Sequence, residues 1–322
     1  MALLHELGVP VSADACDDGR TPLHAAVDGK QYHIITYLIN EAYPAMSIHS
    51  FDSKGATVLH QAAKDGDMEM IRFLLMNTRT MWSVRSQEGY TALHYAAFTE
   101  NMEMVKYLIE LDRDDVNVNV QSNNGSTPMF LAARVGNRDI VELLNENGGD
   151  PELSERVGKT PIYIAAQHGH IETVRYLAKS TTADADHAAD QGWTALLVAA
   201  EGGNLNIVQA LIDAGCVDVN LTNINGASAL YLASQNGHME VVKCLLAGRA
   251  DCLIQRNDGK RAVDIAEIKG HSAIVELLTD VVSSQNTFCP GVTLMTRIPG
   301  KWHGTYRSNE TPEFRSRGAN NE

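Results

Sequence analysis

Twelve histidines and five cysteines are the side chains of this 322-residue chain best suited to hold a metal or move a proton near neutral pH. Their spacing argues against both uses. His24, His60 and His94 lie in copies of one short motif, T-P-L-H-A-A from Thr21, T-V-L-H-Q-A-A from Thr57 and T-A-L-H-Y-A-A from Thr91. Zinc sets place ligands a few residues apart, and no Cys/His group with that spacing is present. Cys16, Cys216, Cys244, Cys252 and Cys289 are scattered, odd in number and without a C-x-x-C pair, as expected of reduced thiols. The densest polar group, Gln167, His168, His170 and Glu172, could in principle exchange protons. It has no nucleophile motif beside it: G-x-S-x-G, H-E-x-x-H and G-x-x-x-x-G-K-[ST] are all missing from the sequence. The chain therefore reads as a non-enzyme, with no cofactor and no metal site.

The elements that carry these residues are short helices. From Thr160 to Leu177 the chain reads T-P-I-Y-I-A-A-Q-H-G-H-I-E-T-V-R-Y-L. Thr160 is an N-cap, because its oxygen can accept from a free amide of the first turn. Pro161 sits at the first helical position, where a missing N–H costs nothing. Ala165 and Ala166 let a neighbouring helix come close, and Gly169 ends the helix in a left-handed conformation. Ile171, Val174 and Leu177 then return on one face of a second helix. Such a pair is too small to bury its own apolar face.

The position of Thr160 recurs at Thr21, Thr57, Thr91, Thr127, Thr194, Ser228 and Arg261, at intervals of 33 to 36 residues. That period and the T-P-L-H motif resemble the ankyrin-repeat family over about residues 1 to 280. The resemblance implies an all-α solenoid of about eight helix-turn-helix repeats with β-hairpin-like turns. It also implies that His24, His60 and His94 bond backbone groups between adjacent turns, so that losing His24 lowers stability without changing metal content. Asp218-Val219-Asn220 is similar to the segment that asparaginyl hydroxylases modify in this family.

Composition agrees with a solenoid. Hydrophobic residues make up 44% of the chain but aromatics only 6%, which suits helices packed closely through Ala and Leu. No apolar run is long enough for a membrane span. Net charge is −14, and residues 283–322 contribute five basic against three acidic side chains, so the repeats are the acidic part. That field opposes nucleic acid and anionic membrane, and favours a basic or neutral protein partner. A cytoplasmic or nuclear monomer is expected.

Residues 1–16 read as a partial N-terminal repeat whose Leu3, Leu4 and Leu7 leave an apolar edge, which suggests a missing upstream segment. Residues 17–282 hold the eight repeats. Lys30 and Glu100 stand where Gly usually ends the first helix, so these ends should be less sharply capped. Asn145 falls at a position that usually holds Leu, and should reach a loop carbonyl or solvent. Arg261, Asp264 and Glu267 put charge where inner repeats use Thr, His and Ala, as a C-terminal cap facing water requires. Residues 283–322 lose the helical period. They read as a disordered tail or a fragment of a further domain, with β-type patches at Val292 to Met295 and Trp302 to Tyr306.

By the resemblance, partners contact positions that the motif leaves free, around the hairpin Gly and before the helix-ending Gly. Glu88, Tyr90, Phe98, Arg134, Arg156, His168, Trp193 and Gln235 hold such positions. Tyr90 and Trp193 each follow a hairpin Gly, and Phe98 lies near the centre of the concave face. The expected function is a protein–protein interaction scaffold or adaptor binding through the concave face and hairpin tips. The alternative is a fragment of a larger enzyme or channel in which the repeats are a targeting module.

Overall fold

The computed structural model describes residues 19–42, 50–53, 55–77, 83–111, 117–180, 182–287, 295–298 and 301–304. Among them, helices form eight consecutive pairs. The first four are Pro22–Asp28 with Tyr32–Tyr37, Val58–Lys64 with Met68–Asn77, Ala92–Phe98 with Met102–Glu110, and Pro128–Val135 with Arg138–Glu146. The second four are Pro161–His168 with Ile171–Ser180, Ala195–Glu201 with Leu205–Ala214, Ala229–Asn236 with Met239–Ala247, and Ala262–Lys269 with Ser272–Thr287. Each first helix packs on its own partner and on the first helix of the next repeat.

The motif explains the stacking. Thr57, Thr91 and Thr160 are extended, with φ of −91°, −102° and −86°, so the chain enters each helix at a fixed angle. The paired alanines are fully buried at Ala96, Ala97, Ala165, Ala166, Ala199 and Ala200. Without side chains beyond Cβ they allow close helix approach, and the larger Leu74, Leu144, Val174 and Leu211 fill the layer behind. The core runs unbroken from Leu23 to Leu278.

Hairpin tips form a second continuous layer. Asn123 donates its N–H to the Glu88 carbonyl at 2.9 Å, Arg156 to Asn124 at 2.7 Å, Asp190 to Val157 at 2.9 Å, Ile224 to Gln191 at 2.9 Å and Asn257 to Asn225 at 2.9 Å. Gly125 shows why the tips need glycine. Its φ is +87°, and an added Cβ would meet the Glu155 Cα at 3.0 Å.

Several expectations change in detail. Lys30 and Glu100 do not loosen their turns; both adopt the left-handed conformation, with φ of 51° and 59°. The turn survives and the strain sits in the residue, at about 1 kcal/mol for a side chain with Cβ. Asn145, partly exposed to solvent, donates to the Tyr176 hydroxyl of the next repeat at 3.1 Å rather than to a loop carbonyl. At the C-terminal end Asp264 takes over the histidine's task. It accepts from the Arg261 N–H at 2.8 Å and from the Arg261 guanidinium at 3.1 Å.

The last helix continues to Thr287, past the boundary expected at residue 282. Beyond it, β1 (Met295–Ile298) pairs antiparallel with β2 (Lys301–Gly304), in the register Met295 to Gly304. These strands overlap the two β-type patches of the sequence. The expectations for residues 1–16 and for the rest of 288–322 lie outside the described residues.

Candidate functional site

The floor of the site is set by Thr-x-x-His in repeats two and three. Thr57 donates its N–H to His60 Nδ1 at 3.1 Å, and Thr91 donates to His94 Nδ1 at 3.1 Å. With Nδ1 accepting, the ring proton belongs on Nε2, which donates to the Val84 carbonyl at 3.0 Å and the Ser126 carbonyl at 3.0 Å. His24 repeats the arrangement against the Ala56 carbonyl at 3.3 Å. Each ring ties a helix start to the following hairpin. Neither nitrogen has a lone pair to spare for a metal. Burial, acting against the favourable carbonyl contacts, lowers the pKa of His60 and of His94 to about 4 and keeps both neutral.

Above these rings repeats one to four shape a groove of about 500 Å³. Tyr95 tilts against His60 with ring centres 5.6 Å apart, and Tyr90 stands edge-on to His94 at 5.4 Å and to Tyr95 at 5.9 Å. Such pairs add about 0.5–1.5 kcal/mol each beyond burial, so the aromatic floor is held rigid. Phe98, the last residue of its helix, is 46% exposed above it. Leu131 extends the apolar surface, and Lys64, Asp65, Glu88 and Arg134 stand at its edge. Among the described residues Lys64, Glu88 and Arg134 form no ion pair, so their charges remain available.

The structure gathers four of the eight sequence candidates here: Glu88, Tyr90, Phe98 and Arg134. His168 and Arg156 belong to the next repeat. His168 is exposed and stacks on His170 at 6.1 Å; its pKa is lowered by desolvation first, then by His170, Arg134 and Lys159. The Arg156 guanidinium is engaged on the Asn123 carbonyl at 3.1 Å. Trp193 and Gln235 lie in repeats six and seven and do not line the groove. The Gln235 backbone carbonyl accepts from the His271 ring at 3.2 Å. Trp193 is half-buried and packs against the core, so it supports the fold directly.

Gln61, Tyr95 and Leu131 line the groove without having been singled out. They share the fifth motif position, between His and the alanines. That position reads Ala25, Gln61, Tyr95, Leu131, Ile164, Val198, Leu232 and Ile265 along the chain. Its variety in polarity and size was the available signal.

The family described as ankyrin repeats, in units of three copies, matches residues 2–82, 59–155, 147–223 and 215–287. The chain belongs to the ankyrin-repeat family, whose repeats are in general protein-interaction modules. Glycerophosphocholine phosphodiesterase GDE1 of Candida albicans is 36% identical over 80 residues, 24% of this chain and 7% of the relative. Human transient receptor potential cation channel subfamily A member 1 is 24% identical over 165 residues, 51% of this chain and 14% of the channel. Human NF-kappa-B inhibitor alpha is 35% identical over 71 residues, 22% of each chain. Proteins named as an enzyme, a channel and an inhibitor thus share similar stretches, and in each case the matched stretch covers less than a quarter of the relative's length. Among the described residues, no helix is long and apolar enough to cross a membrane.

Proposed function

We propose that the chain is a non-enzymatic scaffold or adaptor that holds a protein partner in the groove of repeats one to four. The observation that carries this reading is the exposure of Phe98 over a rigid aromatic floor, with unpaired Glu88 and Arg134 at the edge. The fold does not require Phe98 to be apolar, since the equivalent position holds Asp28, Lys64, Arg134, Gln167, Glu201 and Gln235 in other repeats. Exposed aromatic and Arg side chains are enriched among residues that dominate interfaces. The acidic net charge favours a basic or neutral partner, encountered in the cytoplasm or nucleus by a monomer.

Affinity capture with quantitative mass spectrometry tests the reading. Phe98→Ala and Arg134→Ala should each reduce recovery of a specific partner by about tenfold, equivalent to about 1.4 kcal/mol, with melting unchanged. Partners retained equally by both variants would refute it. A second reading, in which the repeats are a targeting module of a larger enzyme or channel, is favoured by the small share of each relative that they match. The groove would serve the same purpose there.

A further inference from the structure

The loops between repeats carry a polar ladder separate from the groove. At the position eight residues before each motif Thr, Asn119 accepts from the Asp150 N–H at 2.8 Å, and Asn220 accepts from the Asp251 N–H at 2.8 Å. Asp186 plays the same part toward the Asp218 N–H at 2.8 Å, and Glu152 toward the Asp184 N–H. An Asn satisfies this role, so the longer, charged Glu152 exceeds what the loop needs. One residue further on, repeats three, four, five, seven and eight use Val84, Val120, Leu153, Leu221 and Ile254, whereas the second has Ser50 and the sixth has His187. Both departures from the pattern meet at one place. The side-chain donor atoms of Glu152, Asp184 and His187 all lie within 4.8 Å of one another.

Two further observations mark this place. Oδ1 of Asp186, the residue next to His187, is buried without a hydrogen-bond partner. Among the described residues, Glu152, Asp184, Asp186 and Asp218 have no Lys or Arg ion pair, and the His187 ring makes no hydrogen bond. Carboxylates brought together without a counter-charge repel each other, and a divalent cation removes that repulsion. The donor set is two oxygens and one imidazole nitrogen, a borderline set that suits Zn²⁺ better than Mg²⁺ or Ca²⁺, which prefer oxygen alone. Bonds of about 2.0–2.2 Å place tetrahedral donors roughly 3.3–3.6 Å apart, within reach of small side-chain movements.

We propose that Glu152, Asp184 and His187 form a Zn²⁺ site with water completing the shell, clasping the loop before repeat five to the loop before repeat six. The other repeats supply the test variants. His187→Leu and Glu152→Asn each install the residue that neighbouring repeats carry, so the apo fold should melt as wild type does. The full chain, stripped with chelator, is titrated with ZnCl₂ by calorimetry, with MgCl₂ as control. Wild type should take up one Zn²⁺ per chain and gain melting temperature. Each variant should bind at least tenfold more weakly and lose the gain, while Cys216→Ser should bind as wild type. Absence of saturable zinc binding by wild type would overturn the proposal. So would zinc bound equally by His187→Leu and Glu152→Asn, or binding lost only in Cys216→Ser.

Discussion

The two halves of the solenoid solve one structural problem in different ways. At the fourth motif position repeats one to three place His24, His60 and His94, whereas repeats five to seven place Tyr163, Leu197 and Tyr231. In the first half a buried ring is hydrogen-bonded at both nitrogens and ties each helix to the next hairpin. In the second half the slot is filled chiefly by apolar contact, and the Tyr231 hydroxyl is buried with no partner. Left-handed side-chain residues occur in both halves: Lys30 and Glu100 at helix-ending turns of the first, and Gln191 and Arg249 in the loops and turns of the second, whose first helices end at Gly169, Gly203, Gly237 and Gly270. The half whose fourth motif position carries buried histidines is also the half with the groove.

Acid should break the comparison most strongly. The folded pKa of His60 and His94 lies below the ordinary histidine value, so folding favours the neutral form. Their contribution is fully present above about pH 6.5 and is lost as pH falls toward about 4. At pH 4.5 each should have lost about 2–3 kcal/mol. Urea unfolding followed by circular dichroism should show early loss of the first half at pH 4.5 and a single later transition at pH 7. A profile independent of pH would show that the rings are not held neutral.

Truncation of Trp193 comes next. Although it holds a free motif position, its half-buried packing predicts that Trp193→Ala lowers stability by about 2 kcal/mol, while Phe98→Ala changes it by less than about 0.5 kcal/mol. Equal melting shifts would erase the distinction between support and contact. Ser234 and Tyr231 sharpen the account of the second half. Both hydroxyls are buried without partners, and Ser234 stands where Ala97, Ala133, Ala166 and Ala200 stand elsewhere. Ser234→Ala and Tyr231→Phe should each raise stability by about 1 kcal/mol in chemical denaturation. The smallest effect is Glu100→Gly, which relieves the left-handed strain and should add about 0.5–1 kcal/mol.

The fold was legible because its rules are local and repeated. Paired alanines and a left-handed Gly each have one physical task, and Ala96 and Gly169 perform it as the motif implied, whereas the Thr160 hydroxyl, expected to cap its helix, is buried without a hydrogen-bond partner. The backbone role of the histidines followed from the resemblance for the same reason. The site was half legible. Glu88, Tyr90, Phe98 and Arg134 could be picked out as positions the motif leaves free, but spacing alone could not say that the four share one groove. Tyr95 was hidden inside a motif read as scaffold, and Trp193 was obscured in the opposite sense. A hairpin position free of sequence rules can still press its ring on the core. The meeting of Glu152 with His187 was harder still, because it joins loops from two different repeats.

The most direct measurement places a photo-crosslinking phenylalanine at position 98, and in a second protein at position 224. Ile224 is 63% exposed on a hairpin of the second half and lies outside the groove, so it controls for an exposed apolar side chain. Irradiation in lysate, followed by mass spectrometry, should yield one discrete protein adduct from position 98 and none from position 224. The adduct at position 98 should disappear when Arg134→Ala is added. Adducts from position 224 with none from position 98 would contradict a groove-centred binding site.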